Sequence, residues 1–428
     1  MIPRTVTHAL SSHHHRIPHI DALRGLAVLF MLEAHLGFWW LKESEMDHPA
    51  VVLGSALGGM AAPIFFVTAG TGLYLSLRKK PAGFLRRSLT RGGLLVATGV
   101  VFTVLENHVY GFWGWGVLQC IGLSILICAP LMLLNPTRRA LLSLSLLLIA
   151  PALRFWAGVP VRLFSDEMSA ASSPMEYMRN MFLSGFFPLL PWAAVMMAGS
   201  VAGQLLFGHA GSVHRGRVAP GVEWRTNGVA IVVLASLVLT GAGAILVVCA
   251  SPLEFFPPSL SFSLLSLGIA ILALTTATLF PLRQVSPSAP EPQTSLHPPI
   301  PAPALSSPRL SSPPSHPPTE ELRAEREEIG PQNEALSERP GAVIVQPGPL
   351  ASLGRLSLTI FVMHHFIGYE LFRAAGLLGS MTMPMSVFLI CVFCALSLAA
   401  ALVWSRIDFK WSLEWLLARL SGSGTGAN

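Results

Sequence analysis

Charged residues are scarce. Asp, Glu, Lys and Arg make up 12% of the 428 residues, about half the share of an average soluble domain. With 52% of the chain apolar and a mean hydropathy of +0.59, that shortage argues against a cytosolic enzyme or a nucleic-acid reader. Cysteine is sparse as well. All five (Cys120, Cys128, Cys249, Cys391, Cys394) fall inside apolar runs, so a disulfide-built secreted module is a poor fit. Cys391 and Cys394 stand one helical turn apart, with neither a second CxxC nor histidine ligands nearby, so they read as packing. No metal site is expected; His13, His14 and His15 read as part of a disordered tail. No cleavable signal is expected either, because residues 1–19 are polar and the first apolar run leads straight into a long helix. No internal repeat is strong enough for an inverted-repeat transporter.

Long apolar runs are what remains. A membrane span needs about 20 predominantly apolar residues. On that criterion the chain is an all-α, polytopic integral membrane protein of about ten transmembrane helices. They fall at 20–41, 50–77, 92–106, 117–134, 140–158, 186–207, 227–249, 262–281, 351–374 and 385–405. The net charge of +6 sits in the short loops between them, which points to membrane lipids rather than nucleic acid. Arg78, Lys79, Lys80, Arg86, Arg87, Arg91, Arg138, Arg139, Arg215, Arg217 and Arg225 fall on one side, and Lys42, Arg154, Arg162, Arg179 and Arg373 on the other. By the positive-inside rule both termini are cytoplasmic. The domain organisation is then a tail over 1–19, eight helices over 20–281, a linker over 282–349, two helices over 350–405 and a tail over 406–428. The linker is rich in Pro, Ser and Ala and then charged over Glu320–Glu328, a composition too poor in apolar surface to fold.

An ionisable residue within a span is a functional candidate by default. In IDALRGLAVLFMLEAHLGFWW, Arg24 and His35 are eleven positions apart; at 100° per residue they share one face, about 16 Å apart along the axis. Glu33 points elsewhere. Arg24 also reads as an arginine snorkelling to the interface, and His35 as a hydrogen-bonded core histidine. Depth along the spans puts His35, Glu106, His108, Gln119 and one of His364 and His365 in one outer layer; the adjacent pair point about 100° apart, so at most one of them is expected in a shared pocket. The run from Arg78 to Arg91 forms a basic inner rim that would hold a polyanion such as a nucleotide, or anionic lipid headgroups.

RIPHIDALRGLAVLFMLEAH resembles the opening helix of the transmembrane acyltransferase superfamily, and Arg24 and His35 match the Arg-x10-His arrangement of its acyltransferase-3 members. APIFFVTAGTGLYLSL (62–77), WGVLQCIGLSIL (115–126), FPLLPWAAVMMAG (187–199) and LGRLSLTIFVMHH (353–365) are more similar to the heparan-alpha-glucosaminide N-acetyltransferase branch. WSLEWLLARL (411–420) resembles the C-terminal motif of related bacterial membrane proteins. The resemblance covers nearly all the chain except the linker. It implies transfer of an acyl group, usually acetyl from acetyl-CoA, to a carbohydrate-like acceptor presented from the far side of a bacterial inner membrane.

Carried over, His35 is the catalytic histidine and Arg24 the matching arginine. The lysosomal heparan enzyme has Asn at the position of His35 and its working histidine later in the chain, where His48 is the nearest. His364, Glu106, Gln119 and His48 are the expected acceptor-binding residues. Arg78, Arg86 and Arg87 are expected to hold acyl-CoA as co-substrate, with no metal. A neutral imidazole suits deprotonation of a hydroxyl or amine, or could itself carry the acetyl group. The alternative is a transporter or flippase using the same intramembrane polar groups. No span carries a dimerisation stripe, so the sequence sets no oligomeric state.

Overall fold

The first helix, α1 (Pro18–Trp40), starts where Pro18 fixes the backbone and Asp21 adds a carboxylate to the first turn. In the computed structural model described here, residues 17–106, 114–159, 171, 173–208, 221–249, 253–255, 257–279 and 348–422 are described, with the side chains of 221–226 excepted. Among these residues the protein is helical, with no strand. The linker expected at 282–349 lies outside them up to residue 347, as do the polar tail as far as residue 16 and the candidate His108.

After α1 the chain forms α2 (Pro49–Gly58), α3 (Ala61–Lys79), α4 (Phe84–Leu105), α5 (Val117–Leu131), α6 (Pro136–Trp156) and α7 (Pro174–Arg179). There follow α8 (Leu189–Phe207), α9 (Gly221–Cys249) and α10 (Leu260–Leu279). A bent segment then comprises α11 (Pro349–Arg355), α12 (Ser357–His364), a π-helical turn over His365–Glu370 and α13 (Leu371–Ala374). The chain closes with α14 (Met383–Ser405) and α15 (Leu413–Leu420). Starts are capped where the sequence supplies a partner: Asn135 accepts from the Arg138 amide, Ser173 from Glu176 and Ser412 from Trp415. Gly83, at φ +69°, makes the tight turn from α3 to α4.

Eight helices among the described residues are long and apolar enough to cross a membrane, or nine if α11 to α13 count as one span bent by 75°. The expected span not among these, 117–134, is the 15-residue α5, at about 22 Å shorter than the hydrocarbon core. The expected span 50–77 divides at Gly59–Met60 into α2 and α3. Leu53, Leu148, Phe155, Leu234, Val248, Phe388 and Leu396 are exposed, an apolar outer surface suited to lipid rather than water. The protein is an integral membrane protein.

The core falls into two clusters, and α1 belongs to both. Ile20, Leu23 and Ala27 pack with residues of α3, α5, α8 and α10; Val28, Leu32, Leu36 and Trp40 pack with residues of α11, α12 and α14. Helix α1 therefore runs through the middle of the bundle, which brings Arg24 and His35 inside. Its approach to α11 is set by facing glycines: a Cβ on Gly25 would strike the Leu350 carbonyl, and one on Gly354 the Asp21 carbonyl.

The break at Leu356 exposes amides at the start of α12, and these are satisfied from the C-terminal helix. Glu414 Oε1 accepts from Leu358 N (2.6 Å) and Thr359 N (3.1 Å), and Oε2 from Thr359 Oγ1 (2.6 Å). At the far end of the bent segment, Trp40 Nε1 donates to the Gly368 carbonyl of the π turn at 2.7 Å. Both irregular stretches are thus pinned to regular helices.

Candidate functional site

One cavity of about 2110 Å³ runs through the bundle, about twice the upper range of a small-molecule pocket. Arg24, Arg78, Lys79, Arg87 and Arg91 line one end and His35, Trp39 and His365 the other, with Phe65, Leu73, Leu95, Ile121, Phe187 and Phe361 among the walls between.

The basic end is built by the α3–α4 hairpin and by Arg24. Asp21 Oδ1 lies 3.3 Å from Arg24 Nη1, while Arg24 Nη2 donates to the Thr68 carbonyl at 3.0 Å. Arg24 is thus held at the cavity wall by α1 and α3 together. Arg87 donates to the carbonyls of Ala82 and Lys80, at 2.7 and 2.5 Å, and Arg78 donates to that of Phe207. Backbone carbonyls of the α3–α4 turn and of Phe207 thus hold the Arg87 and Arg78 side chains in place.

The histidine end joins α1 to the bent segment. His35 Nδ1 lies 2.9 Å from His364 Nε2, and the two rings stack with centroids 5.1 Å apart. His364 Nδ1 is 3.3 Å from the Ile360 carbonyl. A carbonyl only accepts, so His364 carries its proton on Nδ1 and, as a neutral ring, presents the lone pair of Nε2 to His35. His35 must then donate from Nδ1, which leaves its own lone pair on Nε2. That nitrogen belongs to the ring that lines the cavity.

Trp39 is the platform beneath both histidines. Its ring stacks on His364 at 5.5 Å and meets the edge of His365 at 5.1 Å. His365 Nδ1 in turn lies 3.3 Å from Glu106 Oε2. As expected, only one of the adjacent histidines lines the cavity, but it is His365 rather than His364: the π turn begins at His365, and both rings pack on Trp39, His364 behind His35 and His365 on the cavity wall.

Other expected residues are elsewhere. Gln119 does not line the cavity: its amide accepts from Gly116 N and donates to Thr103 Oγ1 and the Gly114 carbonyl, bracing the start of α5. His48 caps α2 by accepting from Ala50 N at 3.2 Å, is exposed and is not among the lining residues. Arg86 is exposed outside the wall, whereas Lys79 and Arg91 are in it. Glu106 and His364 are buried behind the lining rather than in it. Glu33 faces Gly54 and Gly58 of α2, away from His35, as expected.

Three residues escaped the sequence reading: Trp39, Tyr369 and Arg355. Trp39 lies one helical turn after His35, and that i,i+4 relation was the available signal. Tyr369 and Arg355 line the cavity because of the bend and the π turn, which no local pattern marks.

Residues 16–239 match the family model described as heparan-alpha-glucosaminide N-acetyltransferase, catalytic. Residues 341–421 match a second, described as a protein of unknown function (DUF418). No curated protein matches the chain. The first match, just over half the chain, holds Arg24, His35 and the basic hairpin; the second holds His364 and His365. The 2.9 Å contact between His35 and His364 joins the two.

Proposed function

The chain belongs to the heparan-alpha-glucosaminide N-acetyltransferase catalytic family, a membrane acetyltransferase type, and from that premise we propose that it transfers an acetyl group from acetyl-CoA to a carbohydrate-like acceptor. One observation carries the reading: a cavity with cations at one end and, at the other, a histidine whose Nε2 lone pair is fixed by a second histidine.

The phosphates of the donor bind at Arg24, Arg78, Arg87 and Arg91, and the pantetheine arm extends along the cavity to bring the thioester to His35. His35 Nε2 removes the proton from the acceptor hydroxyl or amine, which attacks the thioester carbonyl. The new O–C or N–C bond forms, the C–S bond breaks, and the proton passes from His35 to the departing thiolate. His364 is a positioning residue: it holds the tautomer of His35 and stabilises the proton on Nδ1 while Nε2 is charged. With both termini cytoplasmic in a bacterial inner membrane, the acceptor approaches His35 from the extracytoplasmic side.

The test is acetyl-CoA binding and CoA release by detergent-purified wild type and His35→Ala, read by thermal shift and a thiol assay. Saturable stabilisation in both, with CoA release in wild type alone, is the expected result. Full release by the alanine variant sinks the role of His35. Absence of stabilisation in either folded protein favours a transported substrate.

A further inference from the structure

Next to the histidine pair, and unused by the transfer step, is a second cluster of chemistry-bearing side chains. Glu106 ends α4, and His365 and Glu370 bound the π turn. A carboxylate oxygen from each glutamate and a ring nitrogen of His365 all lie within 4.8 Å of one another. Glu106 and His365 are 1% and 2% exposed, so this is not a solvated acidic patch.

The spacing suits an ion. His365 Nδ1 and Glu106 Oε2 are 3.3 Å apart, and two ligands bound at about 2.0–2.2 Å to one divalent cation stand roughly 3.0–3.5 Å from each other at tetrahedral or octahedral angles. The third ligand is oriented from outside the cluster: Arg373 donates to Glu370 Oε2 from Nε at 3.0 Å and from Nη2 at 2.8 Å, the kind of outer contact that fixes a ligating carboxylate. Two carboxylates this close repel unless a proton or a cation lies between them, and the buried Glu106 and half-buried Glu370 leave room for either. The added imidazole makes the donor set one that zinc or manganese takes in preference to calcium or magnesium.

We propose that Glu106, His365 and Glu370 bind one divalent cation of the zinc or manganese class. The ion ties the end of α4 to the turn that follows His364, and so steadies the ring that orients His35. The site does not depend on the acyl-transfer reading, because its test reads neither CoA nor acceptor.

Full-length protein in detergent, with His13, His14 and His15 replaced by alanine to remove a competing run, is stripped with EDTA and titrated with Mn²⁺ and Zn²⁺. The expected result is one ion per chain by elemental analysis after gel filtration, with a raised thermal midpoint. Glu106→Gln and, independently, Glu370→Gln weaken binding at least about tenfold. The Glu370 substitution lies at a less buried position and keeps the test valid if Glu106→Gln does not fold. Metal uptake equal in all three proteins overturns the site. So does stabilisation on acidification without metal uptake, which assigns the cluster to a shared proton instead.

Discussion

The two ends of the cavity are built by opposite rules. At the basic end, Arg78, Lys79 and Arg91 are exposed and come from one stretch of the α3–α4 hairpin; each repeats the others' chemistry. At the histidine end, His35 meets His364 across 329 positions of sequence, and His364 is 1% exposed. A polyanion is held by a redundant set of charges, whereas a proton must be handled by one nitrogen in one tautomer. The two ends should therefore respond to mutation in different ways.

The largest effect is expected at His35. His35→Ala lowers the rate of CoA release about a thousandfold, within the range for loss of a general base, and leaves stabilisation by acetyl-CoA unchanged. His364→Ala comes next, at about a hundredfold in kcat, with KM for the donor unaltered. His364→Gln, whose side-chain carbonyl accepts from His35 Nδ1, restores part of the loss; a variant that merely disturbed packing would not be rescued this way. A rise in donor KM without a fall in kcat in these variants would erase the contrast between the ends.

At the basic end the effects are smaller and graded. Arg87→Ala raises the donor KM about two- to fivefold, the scale of a partly exposed ion contact, with kcat retained. Adding Arg78→Ala multiplies the effect. Raising the salt concentration reduces both differences, because exposed charges are screened beyond a few ångströms. Arg86→Ala, outside the cavity wall, leaves KM unchanged. Equal effects of Arg86 and Arg87 in steady-state titrations would mean that only the overall charge of the hairpin matters.

The same division explains what the sequence makes legible. Apolar runs are long, local signals, so most spans are readable, and helical periodicity alone puts Arg24 and His35 on one face. The basic hairpin is likewise contiguous, although position in the run does not distinguish Arg86 from Arg87; only the direction of each side chain does. The pairing of His35 with His364 is a contact between distant helices, and no local pattern encodes it. The bend at Leu356 is hidden because LGRLSLTIFV holds no proline and reads as one apolar run. Position along a helix is readable, but lateral direction is not: Gln119 lies in the first turn of α5 and faces Thr103 rather than the cavity. The shortness of α5 is similarly masked by the apolar residues that follow it.

The smallest effect on turnover is expected where the two ends are joined mechanically. Glu414 lines the cavity, yet its carboxylate is occupied by Leu358 N, Thr359 N and Thr359 Oγ1. It caps the half-helix that carries His364, from a separate helix. Glu414→Gln keeps the size of the side chain and replaces one accepting oxygen with a donor, so an amide or hydroxyl of α12 loses its partner. The expected cost is about 1 kcal/mol, as for loss of a helix cap, seen as a lower thermal midpoint with kcat near wild type below the transition. Glu414→Ala, which removes every bond, lowers the midpoint further. A fall in kcat comparable to that of His364→Ala, at an unchanged midpoint, would show that Glu414 serves the reaction rather than the scaffold. The division between a redundant basic end and a singular histidine end would then fail at the residue that links them.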